Sequence, residues 1–238
     1  MSTENLAGFA SQVVPFASEV DVEYLYAIAG SAAAGLLVLW FYCWRRYNFQ
    51  KATKALRCFE TACVGRAHVV ESRWTGQCQL YARLGFAPHW FENARVTIQM
   101  LPRPIPVQWF LSVLRKQRET LTFEADLGYA PGLHLDLFHQ RWFTHRHIHT
   151  TAVAQNWSVT RPSPVVLTTR ASWTHELTPV VNTLMTSRGH NLLSVRFRQS
   201  SPHLAATIDL EALSDEEMAA GFLGVLRDLA ASASATKH

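Results

Sequence analysis

Hydrophobic and polar positions divide this chain sharply near its start. Residues 24–44 (YLYAIAGSAAAGLLVLWFYCW) carry no charge, and Arg45 and Arg46 follow at once. About 20 helical residues cross the roughly 30 Å hydrocarbon core of a bilayer, so the run predicts a transmembrane helix. Beyond it, residues 48–66 place Ala52, Ala55, Leu56, Phe59, Ala62 and Cys63 at helical spacing. That spacing predicts a helix leading from the membrane into a folded domain. Strand-like stretches follow at 77–84 and 94–101, the second with Val96, Ile98 and Met100 alternating. Pro102, Pro104 and Pro106 end that strand, and a helix is expected from Ile105, because proline suits a first helical turn. Val107, Phe110, Leu111 and Leu114 give this helix an apolar face, and Arg115, Lys116 and Arg118 suit its C-terminal end.

Alternation returns at 120–127 with Leu121, Phe123, Ala125 and Leu127, and the sequence YAPG at 129–132 turns the chain. Leu133, Leu135 and Leu137 alternate again. Residues 138–157 fit no clean period and are read as a helix. A buried strand is expected at 164–169 and a helix at 172–188, with Leu177, Val180, Val181 and Leu184 on one face and Gly189 as its stop. Strands at 192–197 and 204–210 form an expected antiparallel pair. Ser214 and Glu217 make a capping box that opens a last helix containing Met218, Phe222, Val225, Leu226 and Leu229. The tail from Ala231 is small and polar and is expected to fray.

The pattern predicts an α/β or α+β protein: one N-terminal transmembrane helix followed by a single mixed-sheet domain. The expected divisions are a short acidic segment at 1–23, the span at 24–44, a basic juxtamembrane helix at 45–66, the domain at 67–231 and a flexible tail at 232–238.

Charge gives the span a direction. Glu4, Glu19, Asp21 and Glu23 precede it without a Lys or Arg, whereas Arg45, Arg46, Lys51, Lys54 and Arg57 follow it. The positive-inside rule then places the N-terminus outside or in a lumen and the C-terminal domain in the cytosol. Tyr24, Tyr26, Trp40, Tyr42 and Trp44 bracket the run as interfacial aromatics would. The residues assigned to membrane anchoring and orientation are Tyr24, Gly30, Gly35, Trp40, Trp44, Arg45 and Arg46. Gly30, Ser31, Ala34 and Gly35 offer a close-packing surface for another helix in the membrane. A cleaved signal peptide would start basic and carry a shorter apolar run, and a mitochondrial presequence would be rich in Arg. A buried helix of a soluble domain is the remaining alternative.

Composition adds little chemistry. With 22 Lys and Arg against 18 Asp and Glu, the net charge is +4, and part of that excess is the cluster after the span. Such a cluster suits anionic headgroups better than a nucleic acid. Arg141, Arg146, Arg161, Arg170, Arg188, Arg196 and Arg198 are scattered, which favours a solvated surface over a ribosomal RNA footprint. Cys43, Cys58, Cys63 and Cys78 lack CxxC spacing and are read as free thiols. The best metal candidate is His145, His147 and His149, but no acidic or Cys ligand lies close by in sequence, and a surface histidine patch is the preferred reading. His175, Glu176 and His190 are read as polar residues around a helix rather than as acid–base groups. Neither GxGxxG, GxxxxGK[ST] nor GxSxG occurs. No catalytic, cofactor or metal residue is therefore assigned, and the chain is not expected to be an enzyme.

The order of segments resembles a known family. A span written YLYAIAG…LL leads into RRYNFQKATKALRCFE, a strand, the helix IPVQWFLSVLRKQRE and the strand TLTFEADL. The chain continues with PVVLTTRASWTHELTPVVNTLMTSRGHNLLSVRFRQ, LAATIDL and a final helix. Over residues 22–230 this is similar to the calumin family, the larger subunit of the PAT (protein associated with the translocon) complex of the endoplasmic reticulum membrane. The similarity lies in order, spacing and hydrophobic pattern rather than in a diagnostic motif. It implies a single-span, non-enzymatic protein with a cytosolic domain. Its partners would be lipid, a small multi-span protein, the translocon and the ribosome, with ribosomal RNA as the one nucleic-acid contact. The implied task is to shield polar transmembrane helices of nascent multipass proteins. Two departures stand out. The family's animal members carry a long acidic lumenal region, whereas 1–23 holds four acids, so calcium storage is not expected. They also end in a charged coiled coil that suits ribosome contact, and no such segment precedes His238. The competing expectation is a supernumerary single-span subunit of a mitochondrial inner-membrane complex. A third is a membrane-tethered metal protein using the histidine stretch.

Overall fold

One helix, α1 (Val22–Ala62), takes up both the apolar run and the amphipathic stretch behind it. Neither Gly nor Pro occurs from 36 to 62, so nothing in the backbone interrupts it. The structure is a computed structural model and describes residues 22–63, 67–87, 91–129, 131, 134–139, 157–160, 165–170, 192–213 and 215–235. Met1–Trp44 and Arg45–His238 form two separate compact units.

In the first unit the helix is long and apolar enough to cross a membrane. Tyr24, Leu25, Tyr26, Ile28, Leu36, Leu37, Val38, Leu39 and Tyr42 are all exposed. A core helix of a soluble domain would bury such residues.

Among the described residues, the second unit is built on nine strands. These are β1 (Ala67–Trp74), β2 (Gln79–Phe86), β3 (Glu92–Gln99), β4 (Thr120–Asp126), β5 (Leu135–His139), β6 (Trp157–Thr160), β7 (Val165–Arg170), β8 (Leu192–Phe197) and β9 (Leu204–Asp209). Their order across the sheet is β1-β2-β3-β4-β9-β8-β5-β7-β6. The sequence pattern left a mixed sheet as the expectation. Among the described strands every pairing is instead antiparallel, which makes the domain α+β. Helix α2 (Pro106–Leu114) links β3 to β4, two neighbours that run antiparallel, so it is not the crossover of a βαβ unit.

Register explains the core. Leu80 pairs with Ile98, Ile98 with Leu121, and Leu121 with Ile208. One pleat further, Ala82 pairs with Val96, Val96 with Phe123, Phe123 with Ala206, and Ala206 with Val195. Side chains two apart share a face, so these rows form one apolar surface, and every member is buried. Onto it pack the stem of α1 after Arg45 and the last helix, α3 (Glu216–Ala235). Phe59 of the stem lies between Phe123 and Phe222, at ring separations of 6.2 and 6.4 Å. Tyr129 donates its hydroxyl to the Ala230 carbonyl at 2.6 Å, fastening the far end of α3. The opposite face carries a polar row in the same register. It contains Arg83, Arg95 and Glu124, with Arg95 and Glu124 paired at 2.8 Å.

Two strands escape the hydrophobic pattern. β1 is an edge strand that is exposed at Val70 through Arg73, so AHVVESRW has no buried stripe to betray it. A bulge between Val69 and Glu71 breaks its pairing, a device that blunts sheet edges. β6 begins at Trp157, inside the stretch read as helical. The C-terminal tail differs too, since α3 continues to Ala235 on good helix formers. The helix expected at 172–188, the remainder of 138–157 and the cap residue Ser214 lie outside the described residues.

Phe59→Ala is expected to destabilise the domain by about 3–5 kcal/mol, the usual cost of a large cavity in an aromatic core. Val70→Ala on the exposed edge should stay within about 0.5 kcal/mol. Denaturant unfolding of the full chain in detergent, followed by near-UV circular dichroism, compares the two.

Candidate functional site

The stem of α1 begins with a polar cluster rather than with core. Asn48, four residues beyond Trp44, is fully buried. Burying an amide without partners is costly, and here both ends are used. Asn48 Nδ2 donates to the Leu101 carbonyl at 3.0 Å, and Asn48 Oδ1 accepts from Arg103 Nη1 at 3.2 Å. Arg103 also pairs with Glu119 Oε1, and Lys51 Nζ, one turn along the stem, reaches Glu119 Oε2 at 2.6 Å. The Leu101 amide donates to the same carboxylate at 3.3 Å. The Arg103 guanidinium lies 5.1 Å over the Tyr47 ring.

Glu119 is the hub of this cluster, and its side chain is only 5% exposed. Burial works against its ionised form, but the hydrogen bonds from Lys51 and Arg103, the Arg103 charge and the Leu101 amide outweigh that. Its carboxyl is therefore held below the ordinary glutamate range. Nearby, burial pushes the Cys78 thiol up against the pull of Arg103, with Glu119 adding to the rise. A thiol so shifted is less reactive.

The loop held by Asn48 and Glu119 runs straight into α2. Pro106 occupies the first helical turn, and Ile105 precedes it in extended conformation. The helix ends where Arg115 and Lys116 donate backbone bonds to Leu111 and Val113. Lys116 adopts φ 50°, the left-handed conformation common just beyond a helix. Sequence spacing correctly groups Val107, Phe110, Leu111 and Leu114 on one face, but that face is not core. The four are 70, 59, 43 and 62% exposed, and Ser112 is the one buried residue of α2. At about 100° per residue the four occupy an arc of roughly 100°, with Ser112 about 150° from its centre. The helix thus rests on the side that carries Ser112 and the half-buried Trp109, and turns this apolar arc outward.

The residues assigned to anchoring all lie on α1. Tyr24 is 69% exposed, and Arg45 and Arg46 are exposed as well, while Trp40 and Trp44 form a tilted ring pair 5.5 Å apart. A side chain added at Gly30 or Gly35 would meet nothing within 4 Å. A second polar feature, a groove of about 260 Å³, lies on the sheet between Tyr81, Arg83, Asn93, Arg95, Asp126, Ser201 and Pro202. Burial opposes ionisation of Asp126, but hydrogen bonds from Ser201 and Asn93 and the nearby His203 hold its carboxyl below the usual range. Among the described residues no group of three or more His, Cys, Asp or Glu could hold a metal ion. His145, His147 and His149 lie outside those residues. Compared with known proteins, the chain matches no family model and no curated sequence.

Sequence reading did not find the clamp, because Asn48, Arg103 and Glu119 are far apart in the chain and carry no periodic signal. The one hint was Asn48 itself, a polar residue on the same helical stripe as Ala52, Ala55 and Phe59.

Glu119 should make stability depend on pH. Its folded value is depressed, so its contribution is present above the unfolded value and disappears as pH falls through the folded value. Glu119→Gln is expected to cost about 3 kcal/mol at neutral pH, by leaving Lys51 and Arg103 without a counter-charge. It should also flatten the loss of stability on the acid side. Parallel unfolding curves at neutral pH and below the glutamate range test both.

Proposed function

We propose that this chain is a single-span protein of the endoplasmic reticulum membrane that assists the insertion of multipass membrane proteins. In this reading the α+β domain is a non-catalytic platform on the cytosolic side, working with a small multi-span partner beside the translocon and the ribosome. The observation that carries it is the junction at Asn48. The helix that holds the candidate span continues without a break into the domain, and the Asn48–Lys51–Arg103–Glu119 cluster locks its stem to the sheet. The acidic flank before residue 24 and the basic flank after 44 support the orientation. The order of segments that resembles the calumin family supports the task.

Affinity purification of the tagged chain from mild-detergent extracts tests the proposal. The expected result is recovery of translocon components and a small multi-span protein, with co-sedimentation alongside endoplasmic reticulum markers. Recovery of respiratory subunits from mitochondria, without translocon components, would overturn it.

A further inference from the structure

The outward apolar face of α2 has a natural occupant in the same unit's surroundings. We propose that α2 is a second membrane contact, a short interfacial helix. Val107, Phe110, Leu111 and Leu114 would enter the boundary of an anionic leaflet, with Arg115 and Lys116 meeting its headgroups. The inference rests on the membrane-anchored reading and adds a lipid-binding element to the domain itself.

Three observations converge on lipid. First, the face is apolar, continuous and exposed, which is uncommon on a surface that meets only water. Second, exposed bases adjoin it in the chain and follow the candidate span. Arg45, Arg46, Arg115 and Lys116 are exposed and make no ion pair among the described residues. Arg118, by contrast, is engaged with Asp209 at 2.8 Å. An apolar stripe with basic residues beside it is the pattern of helices that lie in the interface of anionic membranes. Third, the helix is tied close to the end of the candidate span. Asn48 holds Leu101 and Arg103 directly, and it follows Trp44 by four residues. Even fully extended, four residues reach about 14 Å at most. The loop that leads into α2 is therefore kept within reach of the end of the apolar run.

Photocrosslinking in lipid vesicles tests the proposal. The purified full chain is reconstituted into vesicles of phosphatidylcholine, alone or with phosphatidylserine. A benzophenone amino acid replaces Phe110 in one variant and the exposed Val70 of β1 in another. Alkaline extraction of the same vesicles reports on anchoring separately. Lipid adducts at position 110, several-fold above those at position 70 and increased by phosphatidylserine, are the expected result. The double variant Arg115→Glu/Lys116→Glu should remove the increase while leaving the chain resistant to extraction. Two results would overturn the proposal with anchoring intact: no excess of lipid adducts at position 110, or crosslinks there to a second copy of the chain in place of lipid. Release of the chain by alkali would instead overturn the anchored reading itself, and this proposal with it.

Discussion

The buried carboxylate of Glu119 is the constraint on which the rest of the domain depends. It collects a lysine from the stem helix, an arginine from the loop after β3, and a backbone amide from that same loop. Its own backbone carbonyl accepts from Leu210 at 2.9 Å, where the chain leaves β9. Helix, loop and two central strands thus meet at one residue. A carboxylate is a demanding choice for that place. Removed from water, it is stable only while its cations are in position, so a misplaced stem would leave a buried charge unmatched. The cluster therefore gives the stem a definite register on the sheet, which apolar packing by Ala52, Ala55 and Phe59 would specify less sharply.

This register governs what the surface presents. With the loop fixed by Asn48 and Glu119, α2 has little choice in how it leaves the sheet. The side with Ser112 and Trp109 seats on the domain, and the arc of Val107, Phe110, Leu111 and Leu114 is left over. Amphipathicity normally tells which side of a helix is inside, but it reports only which side avoids water. In α2 the two are different statements, because the apolar arc is the exposed one.

Much of the fold was legible in the chain. β3 and β4 announce themselves by alternation because one face of each is buried and the other meets a more polar environment. The Pro102–Pro106 cluster fixed the start of α2 almost to the residue. β1 was hidden because an edge strand with exposed Glu71, Ser72 and Arg73 has no buried stripe to reveal. The all-antiparallel character was hidden for a different reason. A helix between two strands suggests a crossover, and only pairing partners show that β3 and β4 run oppositely. The clamp was least legible of all, since its bonded partners are 16 to 68 residues apart and each is ordinary in its local context.

The strand order carries a consequence for biosynthesis. β4 has β9 as its second neighbour, so the centre of the sheet closes only when residues near Asp209 arrive. Arg118 waits 91 residues for its partner. At about 5–20 residues per second, that interval is roughly 5 to 20 s of translation. A span near the N-terminus would already be seated in the bilayer by then. The first four strands would spend those seconds as an open meander with the β4 edge unpaired and, on the single-span reading proposed above, held beside a membrane. For such a chain, early tethering limits which other nascent edges it can meet while its own closing strand is still being made.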